Sequence, residues 1–465
     1  MNKRILIVGR GSAGTALAND IERRSDLVVA GYLDDVVTGD DVLGALRDVN
    51  EVVERHSIDL VYFAIPSSDA RTIRDFLGTI VLGRLEIAVI PRTYEILTKE
   101  SINIDDLTDV DVLDLVGREP VKHDVLSSRD FIAGKRILVT GAAGSIGSRL
   151  VRQIAAMGPE VVVCVDWWEN GMFYLGQQFS SHESLRFHIA DVTNREALDH
   201  LFAEYSPDVV FHAAAYKHVP LMEKNPIAAV NNNIGGSLNL MELAIRHEVK
   251  NFVMVSTDKA VNPVNVMGAT KRIGELMMES LARDAEVTSF NAVRFGNVIQ
   301  SNGSVMETFR NQIAAKQPLT VTHEDVTRFF MTLDEASHLI IQSAFVGANS
   351  DIFVLDMGEP VKIIDLAKSL VHAVDPTLEI KIIGLRPGEK MYEELSYEPD
   401  KVGPTKNPKI FVTRDAFDFN AGEFMSEVMA LLKLTATYSI TADETVRRLQ
   451  CMGFAVQMPP TVLVA

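Results

Sequence analysis

Short apolar runs recur along the chain, each followed by a glycine turn or polar segment and then by a helix-like stretch. Arg4-Ile5-Leu6-Ile7-Val8 is the first, and residues 27–32, 60–65 and 85–90 continue the series. A second series begins at Ile137-Leu138-Val139-Thr140 and continues at 161–165, 209–213, 252–256 and 289–295. Alternation of strand and helix predicts parallel sheets with helices on both faces, and binding crevices at the carboxyl ends of the strands. The fold class expected is therefore α/β, with two doubly wound parallel-sheet domains at 1–118 and 131–415 and a polar linker at 119–130. Over 416–465, apolar positions Phe424, Val428, Leu431 and Leu432 predict one helix, and the rest reads as an irregular tail.

Both series open with a strand, a glycine turn and a helix. The first turn is Gly9-Arg10-Gly11-Ser12-Ala13-Gly14 and the second is Gly141-Ala142-Ala143-Gly144-Ser145-Ile146-Gly147. Such turns let backbone N–H groups approach a pyrophosphate at a helix N-terminus, so both domains read as Rossmann-like. Asp34 follows Gly14 by 20 residues, a spacing suited either to a ribose contact or to a turn at the strand end. No acid/base constellation accompanies it, and the first domain reads as a binding or regulatory module. In the second domain Asp166 follows Gly147 by 19 residues and precedes Trp167 and Trp168 instead of basic residues. A carboxylate there accepts from ribose hydroxyls and repels an extra phosphate, which favours NAD over NADP. Asp191, beside Val192, is placed to accept from the adenine amino group or to face a helix N-terminus.

Composition narrows the partners. The 465 residues are 47% hydrophobic, enough for a large core, and carry a formal net charge of -18. That surface repels phosphate backbones, so nucleic acid is excluded as a partner, and an anionic substrate needs a locally basic pocket. The two cysteines, Cys164 in an apolar strand and Cys451, give no disulfide framework and no zinc site. No metal is expected, and the composition fits a reducing cytoplasm. The start of the chain has no signal-peptide pattern, and no apolar run approaches the roughly 18 residues that span a bilayer.

The chemistry concentrates after three strands of the second domain. Ala213-Ala214-Ala215-Tyr216-Lys217-His218-Val219-Pro220 pairs small residues, along which a cofactor can lie, with two cations near a substrate or phosphate. Ser256-Thr257-Asp258-Lys259-Ala260-Val261-Asn262-Pro263 puts a hydroxyl, an acid and an amine directly after a strand. Met267-Gly268-Ala269-Thr270-Lys271-Arg272, Arg294-Phe295-Gly296-Asn297-Val298 and Gly384-Leu385-Arg386-Pro387-Gly388-Glu389-Lys390 follow in order. Together these resemble the UDP-N-acetylglucosamine 4,6-dehydratases of polysaccharide and glycan biosynthesis, within the extended short-chain dehydrogenase/reductase superfamily. The resemblance is close over about 131–400 and looser before it. It implies an extended short-chain dehydrogenase fold with a smaller C-terminal substrate-binding part. Long members of the family begin with membrane-spanning helices, which this sequence lacks. Where the superfamily usually has a catalytic tyrosine the chain has Met267. This matches the long subgroup and implies retention of configuration at carbon 5.

The implied reaction is NAD-dependent 4,6-dehydration of UDP-N-acetylglucosamine to a UDP-4-keto-6-deoxy-N-acetylhexosamine. Oxidation at carbon 4 makes the carbon 5 proton acidic, a base removes it, an acid protonates the departing carbon 6 hydroxyl, and the hydride returns to carbon 6, so NAD is recycled. Asp258 is expected to be the acid, with a pKa raised by burial, and Lys259 the base, with a lowered pKa. Thr257 is assigned to the 4-hydroxyl and Lys271 to the nicotinamide ribose. The first proton leaves through Thr257 to Lys259 or Lys271, because the thioether of Met267 is no base. Gly141, Gly144, Ser145, Ile146, Gly147, Asp166, Asp191, Val192, Ala213, Ala214 and Lys271 are expected at the cofactor. Lys217, His218, Asn297 and Arg328 are expected at the substrate, with Arg386 on phosphate and Glu389 on the uridine ribose. A homo-oligomer formed through helices in 226–247 and 271–282 is implied by the resemblance alone. The alternatives are a UDP-sugar 4-epimerase and a non-catalytic nucleotide-sugar-binding regulator.

Overall fold

The apolar runs form strands because their β-branched and aromatic residues fill both faces of a sheet. The computed structural model describes residues 3–23, 27–65, 70–80, 85–89, 108–109, 125–299, 301–374, 377–413 and 420–457. The chain packs as two units, Met1–Lys122 with Ser304–Val326 and Val361–Gly384, and His123–Gly303 with Thr327–Pro360 and Leu385–Ala465.

The first unit is built on a six-stranded sheet. Its strands are β1 (Lys3–Val8), β2 (Leu27–Leu33), β3 (Val42–Gly44), β4 (Leu60–Phe63), β5 (Glu86–Val89) and β6 (Thr108–Asp109), in the order β3-β2-β1-β4-β5-β6. Pairing is parallel except between β5 and β6. Helix α1 (Ser12–Ile21) follows the first glycine turn, and Leu17 and Ile21 on it are fully buried. Residues 304–326 and 361–384, expected within the 131–415 domain, pack here instead. Helix Ile363–Val374 lies against α2 (Ala70–Thr79), and Leu319–Val321 pairs in parallel with Ile380–Ile382.

The second unit has a nine-stranded sheet made of β7 (Arg136–Thr140), β8 (Val161–Asp166), β9 (Leu185–Ile189), β10 (Val209–His212), β11 (Asn251–Val255), β12 (Ser289–Arg294), β13 (Asp351–Leu355), β14 (Val402–Pro404) and β15 (Ile410–Thr413). Its order is β14-β15-β13-β12-β11-β10-β7-β8-β9, parallel from β13 to β9. The sequence jump between β7 and β10 opens the crevice at which such sheets bind ligands. Alternate residues of each strand feed opposite cores. Leu138, Val163, Phe252 and Met254 pack on the side of α4 (Val266–Ala282), while Ile137, Val162, Cys164 and Phe211 pack on the side of α3 (Ser145–Ala155) and α5 (Leu333–Val346). Each fully buried large apolar side chain contributes about 1.5–3 kcal/mol. Cys164 is one of these core residues, and burial pushes its thiol up to about 12.

Two expectations change. Residues 125–130 of the anticipated linker belong to the helix Val125–Ile132, and 119–124 lie outside the described residues. The C-terminal section holds two helices, Ala421–Ala436 and Ala442–Cys451. The second has a weak sequence signal because only Val446 and Leu449 stand out in a charged stretch, yet both are fully buried. These helices pack against residues 226–235 and α4.

Candidate active site

The dinucleotide loop closes at the β7–β10 crevice. Gly141 has φ +66°, and a Cβ on it would lie 2.7 Å from the Ala214 nitrogen, so the loop and the Ala213-Ala214 backbone touch only because a glycine stands there. A Cβ on Gly147 would lie 1.9 Å from the Gly141 carbonyl oxygen, which fixes how closely α3 enters the turn. Gly144 is the N-cap of α3, and Ser145 accepts at Oγ from the Asn302 N–H at 3.1 Å. Ile146, Ala213 and Ala214 are half-buried along the loop. Asp166 ends β8, nine-tenths buried, accepting from the Ala143 and Trp168 N–H groups at 3.0 Å each. Asp191 is exposed and accepts from Thr193 N and Oγ1 at 2.8 Å, while Val192 is buried against Gly236. Backbone donors, close glycines and a strand-end carboxylate fit a dinucleotide.

The Thr257 cluster follows β11 as a single helical turn, Asp258–Ala260, capped by Thr257. Thr257 Oγ1 donates to Asp258 Oδ1 at 2.9 Å, and Lys259 Nζ donates to the same oxygen at 2.9 Å. Lys259 Nζ also donates to Asn297 Oδ1 at 3.3 Å. Asp258 is fully buried, and its Oδ2 has no hydrogen-bond partner among the described residues. Gly296 leaves room for that oxygen, since a Cβ there would approach it to 3.2 Å. Helix α4 begins beside this turn. Asn265 caps it by accepting from the Gly268 N–H at 2.7 Å, and a Cβ on Gly268 would meet the Lys259 carbonyl oxygen at 2.2 Å. Met267 is 4% exposed in the first turn of α4. Lys271, one turn further on the same face, is nearly buried, and burial brings its ammonium down to about 8 although Glu275 opposes this.

The expected lowering of Lys259 does not hold. Burial alone pulls its ammonium down, but Asp258 and Glu393 outweigh burial and raise it above the ordinary lysine value. Arg328, expected at the substrate, has partners within the chain. It is buried and donates to the Thr327, Lys390 and Met391 carbonyls and to Glu389 Oε1 at 3.1 Å, so it clasps the 389–391 segment. Glu389 additionally accepts from the Arg386 N–H at 3.1 Å, which engages the carboxylate assigned to a ribose. The Arg386 side chain is exposed, as are Lys217 and His218, the latter beside Gly303.

Several residues at the site escaped sequence reasoning. Glu393 Oε1 stands 3.8 Å from Lys259 Nζ, and its Oε2 is buried without a hydrogen-bond partner among the described residues. Glu275 is fully buried, pairs with Arg294 at 2.8 Å and Arg272 at 2.9 Å, and accepts from Ser256 Oγ at 2.6 Å. Tyr397 lies over both guanidiniums and donates to the Ala260 carbonyl at 2.9 Å. Ser256 and Ala260 bracket the Thr257–Lys259 turn, so this ionic cluster fixes both of its ends. Asn233, in a π-helical turn, bonds the Tyr216 N–H and carbonyl and the Thr270 hydroxyl, which ties the 213–217 loop to α4. No spacing rule links 393 or 397 to 257–259; only the fold brings them together.

The family described as "Polysaccharide biosynthesis protein" matches residues 137–415, more than half of the chain. The chain belongs to that family. Capsular polysaccharide biosynthesis protein CapD of Staphylococcus aureus is 42% identical over 411 residues, 84% of this chain and 68% of that protein. Over a little more than half of the chain, the inverting UDP-N-acetylglucosamine 4,6-dehydratase of Campylobacter jejuni is 35% identical and a Rickettsia conorii UDP-glucose 4-epimerase is 36% identical, each matched over 77% of its own length. The solved structure of Pen from Bacillus thuringiensis aligns with a TM-score of 0.58 at 34% identity, covering 63% of this chain and 90% of its own. The family member described here thus has an extended short-chain dehydrogenase fold of the nucleotide-sugar dehydratase and epimerase type. No helix among its described residues is long and apolar enough to cross a membrane.

Proposed function

We propose that this family member is a 4,6-dehydratase of UDP-N-acetylglucosamine that retains configuration at carbon 5, forming the 4-keto-6-deoxy sugar nucleotide. The observation that carries this reading is the hydrogen-bonded Thr257–Asp258–Lys259 group beside a Met267 that offers no base. A 4-epimerase needs a reversible base at carbon 4 and has no use for a second acid/amine pair, whereas loss of water needs both an acid and a base. The Rickettsia and Campylobacter relatives have different activities at similar identity, so the choice rests on these side chains.

Gly141, Gly144, Gly147 and Asp166 would hold NAD, which would supply a hydride acceptor for carbon 4 and a hydride donor for carbon 6. In this reading the Thr257 hydroxyl accepts the 4-hydroxyl proton and passes it along its hydrogen bond to Asp258. Lys259, once neutral, removes the carbon 5 proton. Asp258 then gives its proton to the carbon 6 hydroxyl, which leaves as water. Lys271, part neutral near its lowered pKa, orients the nicotinamide ribose. Lys217, His218 and Arg386 supply the positive charge that a diphosphate needs on a chain of net charge -18. Glu389 acts by holding Arg328 and the 386–391 turn.

The test is incubation of purified protein with UDP-N-acetylglucosamine, without added reductant, followed by mass spectrometry. The product is expected one water lighter, with no free NADH accumulating, and Asp258→Asn should slow it about 100-fold or more. An unchanged mass with the galacto isomer would establish the epimerase instead. No conversion would move the assignment to another UDP-sugar or to a binding role.

A further inference from the structure

Glu393 has no place in the roles above, yet it stands against the base. Its Oε1 is 3.8 Å from Lys259 Nζ, beyond a direct hydrogen bond but close enough that a small turn of the ammonium closes the gap. Lys259 carries an unresolved demand: the reaction needs a neutral amine, and its surroundings hold it charged. A buried lysine beside the carboxylate of Glu393 cannot release its proton to solvent without leaving a buried negative charge that has lost its partner.

We propose that Glu393 is a positioning residue that takes the Lys259 ammonium proton, so that the free amine can act at carbon 5. This rests on the dehydratase reading. The Nζ–H bond breaks, an O–H bond forms on Glu393, and the cationic and anionic partners become neutral amine and neutral acid. The nitrogen lone pair then takes the carbon 5 proton. The C–H electron pair forms the enolate next to the carbon 4 ketone, then the carbon 5–carbon 6 double bond as hydroxide leaves with the Asp258 proton as water. Asp258 is not available to take the lysine proton, because in the proposed sequence it already holds the proton relayed from the 4-hydroxyl through its hydrogen bond with Thr257. Glu393 Oε2, like Asp258 Oδ2, is buried without a hydrogen-bond partner among the described residues, so this carboxyl has room to carry a proton. Burial first, and then Asp258, push its carboxyl above the usual glutamate range against the opposing cations Lys259, Arg328 and Lys390. Arg328 is itself paired with Glu389, and Lys390 with Glu394, so the cations nearest Glu393 after Lys259 are shared with other carboxylates.

The experiment compares wild type, Glu393→Gln and Glu393→Asp on UDP-N-acetylglucosamine across pH, reading kcat, KM, deuterium uptake at carbon 5 from heavy water, bound dinucleotide and melting temperature. Glu393→Gln is expected to lower kcat about 100-fold near neutral pH, to slow deuterium uptake in parallel and to recover as the pH rises. KM and bound dinucleotide should stay near wild type, and Glu393→Asp should restore most of the rate. A carboxylate that only raised the lysine pKa by its field predicts the opposite, a Glu393→Gln enzyme as fast as or faster than wild type at neutral pH. That result overturns the proposal. So does a pH-independent loss accompanied by a lower melting temperature. Wild type that releases no water removes the dehydratase reading and this proposal together, whereas active wild type with an unimpaired Glu393→Gln removes the proposal alone.

Discussion

At the residue scale, burial decides which charges can change. Lys271 has almost no access to water, and its ammonium falls from the ordinary 10.5 to about 8. The unfolded chain therefore binds more protons than the folded one between these values. Folding stability contributed by this group rises with pH through that window and is lowest below about 8. Lys271→Met, measured without dinucleotide by urea unfolding, should be the more stable protein at about pH 7, and the difference should narrow by about pH 10. A constant difference would mean that Lys271 keeps its ordinary basicity in the fold. His212 shows the same physics with a structural outcome. Burial, with Lys271 adding to it, takes its ring down to about 3, and Thr140 and Ser237 bond its two nitrogens at 2.8 and 2.9 Å. A neutral core histidine at the end of β10 follows, not a proton carrier.

At the element scale, two local devices hold the site. The loop between β7 and α3 tolerates no side chain at Gly147, where a Cβ would stand 1.9 Å from a carbonyl oxygen. Gly147→Ala should therefore yield protein that has lost most of its bound dinucleotide, as read by absorbance and chromatography of the released cofactor. Full occupancy would show that the turn re-forms around the methyl group. The second device is the carboxylate of Glu275 shared by Arg272 and Arg294 behind the Thr257–Lys259 turn. Burial opposes its ionisation, but the two guanidiniums and Ser256 bring it down to about 2. Because the folded value lies below the unfolded one, this contribution is present above the ordinary glutamate range and is lost as the pH falls toward about 2. Glu275→Ala leaves two buried guanidiniums without their common partner and should destabilise the protein by about 3–5 kcal/mol in urea unfolding. A loss well under that would mean that water enters to solvate the arginines.

At the scale of the whole molecule, the C-terminal helices matter most. Val428, Leu431, Val446 and Leu449 join the core that also holds residues of 229–244 and α4. A chain ending at residue 420 would expose that apolar surface, and light scattering should find it self-associated where the full chain has a smaller mass. An unchanged mass would show that other segments close the surface. Much of the architecture is legible from order along the chain. Local apolar periodicity predicts the strands, and the two glycine turns predict crevices at their ends, because strand burial and tight turns are properties of neighbouring residues. The Thr257-Asp258-Lys259 cluster and Met267 are visible for the same reason: each lies at a fixed distance from a strand end or a helix start. Three features were not legible, namely the regrouping of 304–326 and 361–384 with the first unit, the second C-terminal helix, and the residues that set the charge of the site. Glu393 lies 134 positions from Lys259 in the chain, and Glu275, Arg294 and Tyr397 meet behind the turn from three separate segments. Sequence determines which groups are present and which local turns carry them. The direction in which Lys259 and Lys271 depart from ordinary lysines is decided only by tertiary structure, because burial and Coulomb interactions act across space between residues that no sequence period connects.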